Sequence, residues 1–272
     1  MNRPGNFFKT HTLLYRLSAL ELLRNKFGLI LLFAIPAVFL LIVEWTTGSH
    51  ETPIKLYFFN DTQTVILTQR EVSIIFMAAA VSGFLTAYYA ILLFHENFDY
   101  FRYCISMGLK PSTFLLARFG FFMTVVAILA LFITCIVRVM MPLPRLLPVL
   151  LGFIIFGTIY GTYGGIIGVI TKDLMVAIMM IVLLANLDAG WLQNPVFYTY
   201  AQESAFIKWL PAFFPCQYIF SSVFTEKHNL WALIWSGIYA VGLLTVLYFM
   251  VQLKMRKLCH RRGVKNVENI KK

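Results

Sequence analysis

Long apolar runs alternate with short polar ones along almost the whole chain. A bilayer core of about 30 Å takes about 20 helical residues. Six runs come close to or reach that length: Gly28–Trp45, Ser73–Phe94, Phe119–Met141, Leu147–Ile170, Leu174–Leu192 and Trp231–Leu253. Asn186 and Asp188 interrupt the fifth. Ahead of the first run, FFKTHTLLYRLSALELLRNKFG sets Leu13, Leu14, Leu17 and Leu20 on one stripe, with Lys9, Arg16 and Arg24 off it. That is the pattern of a helix lying in the membrane interface, over residues 7–27. The expected fold class is all-α and polytopic: one transmembrane domain over residues 1–272, with no cleavable signal peptide and no separate soluble domain.

The connections are uneven. Residues 46–72 read as a modest loop, in which Asn60-Asp61-Thr62 fits the glycosylation acceptor pattern. MPLPRLLP stops the third span and starts the fourth, because proline ends one helix and is tolerated in the first turn of the next. Thr171-Lys172-Asp173 is so short that spans four and five must be antiparallel neighbours. Residues 193–230 are long, and AFIKWLPAFFPCQYIFSSVF within them is apolar but broken by Pro211 and Pro215. It is expected to form re-entrant half-helices over 205–224 that cap the outer end of the bundle. In span four, Gly157, Gly161 and Gly165 recur every fourth residue, and Gly164 and Gly168 make a second such pair. Glycines so spaced offer a strip for close helix packing within the bundle.

Charge orients the chain. Of the 23 Lys and Arg residues, 17 fall on the side of the two termini, including the tail KMRKLCHRRGVKNVENIKK over 254–272, and six on the other. The positive-inside rule puts both termini in the cytoplasm of a cell membrane. The net charge of +11 is then a topology signal, and the tail is read as an anchor to anionic membrane lipids, not as a nucleic-acid site. The four cysteines separate among compartments, so no disulfide framework is expected.

Catalytic patterns are missing. The chain has no GxxxxGK[ST], no HExxH, no GxSxG and no paired-cysteine metal site, and its five histidines are scattered. No catalytic residue, metal or cofactor is expected in this chain. Two acids, Glu44 and Asp188, lie near the outer ends of spans one and five, where water is expected to reach them. Together with the aromatic outer segment (Trp209, Phe213, Phe214, Tyr218) they are candidates for a substrate pathway or outer gate.

The segment between spans two and three is longer than a turn requires. HENFDYFRYCISMG sets Phe98, Phe101 and Ile105 at helical spacing, with Glu96, Asp99 and Arg102 elsewhere on the wheel. Gly108 ends this short amphipathic helix, and Pro111-Ser112 starts the next. Residues 96–107 therefore suit lying on the membrane or docking in a groove of a cytoplasmic partner.

Taken in order, three stretches resemble the permease subunits of ABC-2-type (type V) ABC exporters. ALELLRNKFGLILLFAIPAVFLL resembles that family's basic interfacial helix leading into span one. FHENFDYFRYCISMGLKPSTFLLARF resembles its coupling signature, with Glu96 after span two, a Gly, a Pro-Ser step and Arg118 at span three. WLPAFFPCQYIF resembles its outer half-helices. One departure is CISMG, where the family usually has Gly-Thr. The resemblance implies a dimer with a second permease copy or paralogue, driven by separate cytoplasmic ABC ATPase subunits that carry ATP and Mg. It makes Glu96, Phe98, Asp99, Phe101, Arg102 and Ile105 the candidate ATPase-coupling residues. The cargo expected is hydrophobic or amphipathic: a drug, an antimicrobial peptide or a lipid. The competing readings are an ion-coupled transporter, which would want charges nearer the midplane, and a membrane-embedded lipid-modifying enzyme, which would want clustered polar residues.

Overall fold

The computed structural model describes residues 4–59, 61–95, 111–198 and 205–270. The candidate coupling residues, from Glu96 to Ile105, lie outside the described residues. In chain order the elements are α1 (Pro4–Arg24), α2 (Lys26–Thr46), β1 (Glu51–Tyr57), β2 (Thr62–Thr68), α3 (Gln69–His95), α4 (Pro111–Met140), α5 (Leu146–Ile170) and α6 (Leu174–Ala185). A π-helical turn (Asn186–Leu192) continues α6. A 3-10 turn (Ile207–Trp209), α7 (Phe213–Phe224) and α8 (Leu230–Ile270) follow. Among the described residues, six stretches are long and apolar enough to cross a membrane: Gly28–Thr46, Gln69–His95, Ser112–Met140, Leu146–Ile170, Leu174–Leu192 and Leu230–Met255. Span three starts seven residues before the expected Phe119, because Pro111 can open a helix and the apolar run Phe114–Ala117 extends it.

The bundle is organised around α3 and α5. Most of α3 is buried, whereas α2 and α8 keep most of their apolar surface outward, as lipid-facing helices do. Glycine sets the spacing at the centre. A Cβ on Gly164 would collide with the Ala87 carbonyl, and one on Gly168 would stand 3.2 Å from the Ile91 Cα, so α5 lies backbone to backbone on α3 there. The other row is also consumed inside the bundle: Gly157 faces Thr86 and Val126, Gly161 faces the Phe122 ring, and Gly165 faces Leu247 of α8.

α1 and α2 are separate helices. Asn25 breaks the chain between them, and its Oδ1 accepts a hydrogen bond from the Gly28 amide at 2.9 Å, capping α2. The expected leucine stripe divides: Leu14 is buried with Ser18 against the bundle, while Leu13, Leu17 and Leu20 stay exposed. Tyr15 fixes this orientation, donating to Thr124 Oγ1 at 2.9 Å and packing edge-on to Phe121.

Residues 46–72, expected as a plain loop, contain a β-hairpin. Strands β1 and β2 are antiparallel, in a register running from Glu51↔Thr68 to Tyr57↔Thr62. Successive side chains take opposite faces: Ile54, Leu56 and Leu67 point inward and join the core, while Thr62, Thr64 and Ile66 point outward. The hairpin is fastened by side chains from the segment after span five. Gln217 accepts from the Tyr57 amide at 3.0 Å and donates to the Lys55 carbonyl at 3.3 Å. Asn229 donates to the Tyr57 carbonyl at 2.8 Å and caps α8 through the Ala232 amide.

The expected pair of outer half-helices is one 3-10 turn and one regular helix. Pro211 separates them, and Pro215 falls in the first turn of α7, where its missing N–H costs nothing. At the other end of α7, Arg145 from the α4–α5 link donates to the carbonyls of Ser221 (2.8 Å), Ser222 (3.2 Å), Glu226 (3.2 Å) and Thr225. A cation there satisfies the helix's terminal carbonyls and its negative pole together.

Candidate functional site

Two sets of cross-helix polar contacts stand at opposite ends of an apolar bundle. The one nearer the hairpin centres on Asp188. The π-helical turn bonds the Gln193 amide to the Asp188 carbonyl at 3.1 Å, five residues back, and this wider turn directs the Asp188 side chain into the protein. Asp188 is only 3% exposed, so the expectation that water bathes it is corrected. Its carboxylate is served by three donors instead. One oxygen accepts from the Tyr160 hydroxyl of α5 and from the Ala212 amide at 3.1 Å, at the start of α7. The other accepts from Gln193 Nε2 at 3.0 Å, whose amide also donates to the Ile207 carbonyl at 3.4 Å. A buried charge costs several kcal/mol unless it is so satisfied. The arrangement is a joint: one side chain ties α5, the end of span five and α7 together.

The other candidates on this side do not gather around it. Glu44 is half-buried on α2 and has no hydrogen-bonding or ionic partner among the described residues. Phe213 is buried with Ile207 against Tyr57, and Tyr218 is buried too. Phe214 is half-buried between Trp235 and Tyr239, with ring centroids 5.9 and 6.2 Å away. Trp209 alone of the four is open, 77% exposed, while its carbonyl accepts from the Tyr239 hydroxyl at 3.1 Å.

The opposite end, where the chain leaves α3 and returns at α4, is tied through Arg118. This residue is 3% exposed. Its Nη1 donates to the Leu93 carbonyl at 2.6 Å, its Nη2 lies 3.6 Å from the Glu21 carboxylate of α1, and its guanidinium covers the Phe114 ring at 4.8 Å. Nearby, His95 Nε2 donates to the Lys172 carbonyl at 3.2 Å, joining α3 to the α5–α6 link, and Lys254 Nζ donates to the Val169 carbonyl at 2.6 Å, joining α8 to α5. A cavity of about 190 Å³ lined by Ser18, Glu21, Asn25, Tyr89 and Leu93 lies beside Arg118.

Sequence reasoning marked Asp188 but missed its partners Gln193 and Ala212, and missed Arg145. The usable signal was a set of polar side chains within or beside apolar runs, which must find one another. Among the described residues no three His, Cys, Asp or Glu side chains gather to hold a metal. No family model matches the chain, and no curated protein matches it. The six apolar helices define a multi-pass helical membrane protein.

Proposed function

We propose that this chain is the membrane-spanning permease subunit of an ATP-driven ABC exporter of the ABC-2 type, working with a separate cytoplasmic ATPase and a second permease. The reading rests on the resemblance carried by the segments before span one, between spans two and three, and before span six. The observation that carries it is Arg118. The proposed ATPase contact, residues 96–107, lies between His95 and Pro111 in the chain, and Arg118 binds both flanking helices to α1. A push on that segment therefore meets α1, α3 and α4 as one body and not as three loose helices. An ATPase pair that closes on ATP makes different contacts in two states, and such a difference is what biases a membrane dimer between conformations.

In this reading α1 is an interfacial helix, its Leu13, Leu17 and Leu20 face available to the bilayer. Both termini are cytoplasmic, and α7 with the hairpin caps the outer side. A hydrophobic or amphipathic cargo fits the apolar groove of about 480 Å³ between α4 and α8, lined by Phe119, Gly120, Met123, Leu244 and Tyr248 among others. The test is copurification with a P-loop ATPase, then a search for compounds that stimulate its ATP hydrolysis. Uphill transport by the purified chain alone in vesicles overturns the proposal.

The buried Asp188 favours a second reading, an ion-coupled carrier, since membrane acids held out of water serve as ion or proton sites. An imposed proton or sodium gradient that drives cargo without ATP selects it.

A further inference from the structure

The two edges of the hairpin are treated differently. On β1, the Tyr57 amide and carbonyl and the Lys55 carbonyl point away from β2 and are taken by Gln217 and Asn229. That edge also carries Pro53, which has no N–H, and the charge of Lys55; both are devices that keep strangers off a sheet edge. Because Tyr57 faces Thr62, Lys55 faces Thr64 and Pro53 faces Ile66, the same parity aims the backbone groups of Thr62, Thr64 and Ile66 outward from β2. Among the described residues nothing pairs them; the next outward amide, that of Thr68, is taken by Glu71 at 3.0 Å. β2 reads TQTVILT, with no proline, no glycine and no charge, and Ile66 is 65% exposed on its outer face. A strand of that composition with a free edge is a pairing site.

We propose that β2 pairs with β2 of a second copy of this chain, making a continuous four-stranded antiparallel sheet across a two-fold axis. The occupant follows from the chemistry of the strand. Being uncharged, β2 meets no like charge when laid against itself. With Val65 opposite Val65 of the second copy, the Thr64 and Ile66 backbones exchange hydrogen bonds in both directions. That register also carries Asp61 to the start of the second copy's α3, beside its exposed cation Arg70. Asp61 is exposed and lies 3.6 Å from Lys227, so it is free to take a second cation. The two-fold axis runs through the sheet, so the face bearing Ile54, Leu56 and Leu67 stays on the same side in both copies. Both bundles then hang from one side of the shared sheet, as two copies inserted in one membrane require. This supplies a contact for the second permease of the transport reading. A dimer that forms with no ATPase partner leaves the inference standing while the transport reading fails by its own test.

The experiment is disulfide trapping of the full-length chain in its membrane, read on a non-reducing gel against wild type. Opposed residues of an antiparallel pair lie within the 4.4–6.8 Å Cα separation that a disulfide spans. Val65→Cys gives a dimer band on oxidation, and Lys55→Cys on the guarded edge gives none. Thr64→Cys and Ile66→Cys, both at exposed positions, give a dimer when coexpressed and much less when expressed singly. Thr64→Pro removes only an outward donor and abolishes most of the Val65→Cys band. Absence of these bands, equal trapping at Lys55 and Val65, or trapping unaffected by Thr64→Pro each overturns the proposal, including the case in which a foreign strand occupies the edge.

Discussion

The Tyr160 hydroxyl donates to the Asp188 carboxylate inside the bundle, joining the centre of α5 to the π-helical turn that ends span five. Both residues are buried, and the Tyr160 ring is itself stacked on Phe156 with centroids 4.7 Å apart. Neither group can exchange its partner for water. Tyr160→Phe keeps the ring and removes one of three donors to a buried charge, so it lowers stability by about 1.5–3 kcal/mol, read as earlier unfolding in detergent.

Asp188→Asn separates charge from shape. Gln193 can turn its amide to accept from the new side-chain NH₂, and Tyr160 and Ala212 can still donate to the remaining oxygen. The variant is expected to fold and, in the ATP-driven reading, to keep export, measured as cargo release from vesicles loaded with ATP. Loss of gradient-driven transport with normal folding supports the ion-coupled reading instead.

Arg145 reaches four carbonyls at the end of α7 from a separate link. Arg145→Ala removes a charged donor from each, with Ser221 keeping the Thr225 amide and hydroxyl, and is expected to cost about 2 kcal/mol, the range for hydrogen bonds to a charged group. The loss should be local: amide exchange accelerates through residues 221–230 before the rest of the bundle responds. Arg145→Lys keeps the charge but not the planar fork, and recovers only part of the protection.

The helices were legible in the sequence because a bilayer span imposes one length and one polarity, and span bounds shifted by only a few residues except at Pro111. The hairpin was overlooked because only β1 alternates cleanly: on β2 the polar Gln63 shares the inward side and the apolar Ile66 points out, and β1 is held by Gln217 and Asn229 from 160 and more residues away. Asp188 was legible as an oddity but its burial was not. Depth along a helix does not tell whether a side chain points to water or inward, and here a wider turn decides it. The glycines of span four face neighbouring helices, and the closest approach falls on Gly164 and not on the longer row.

Arg118 should act on coupling more than on assembly. Arg118→Met fills a similar space but unties the ends of α3 and α4 from Glu21 and the Leu93 carbonyl. In the proposed complex it is expected to retain ATPase binding while lowering cargo exported per ATP hydrolysed. Glu21→Gln should do little alone, since Glu21 is half exposed and such pairs contribute roughly 0–1 kcal/mol.

Alanine substitutions along the glycines should rank by what the new methyl meets. Gly164→Ala drives a methyl into the Ala87 backbone, which cannot yield, and should cost about 1–3 kcal/mol or prevent assembly. Gly157→Ala meets the Thr86 and Val126 side chains at 3.1 and 3.2 Å and should be mild. The ranking is read as unfolding temperature across the series.

Gly120 offers the cleanest probe of the groove between α4 and α8. It lines that groove, and a Cβ there has nothing within 4 Å, so a larger side chain can grow into open space without strain. Gly for a good helix former inside α4 even favours the helix by about 0.8–1.0 kcal/mol. Gly120→Leu should therefore fold at least as well as wild type while filling part of the space available to cargo. If the groove carries apolar cargo, export falls and the cargo's stimulation of the partner ATPase falls with it, whereas Gly237→Leu, also in open space but outside the groove, leaves both intact. Equal export by Gly120→Leu and wild type removes the groove from the cargo's path.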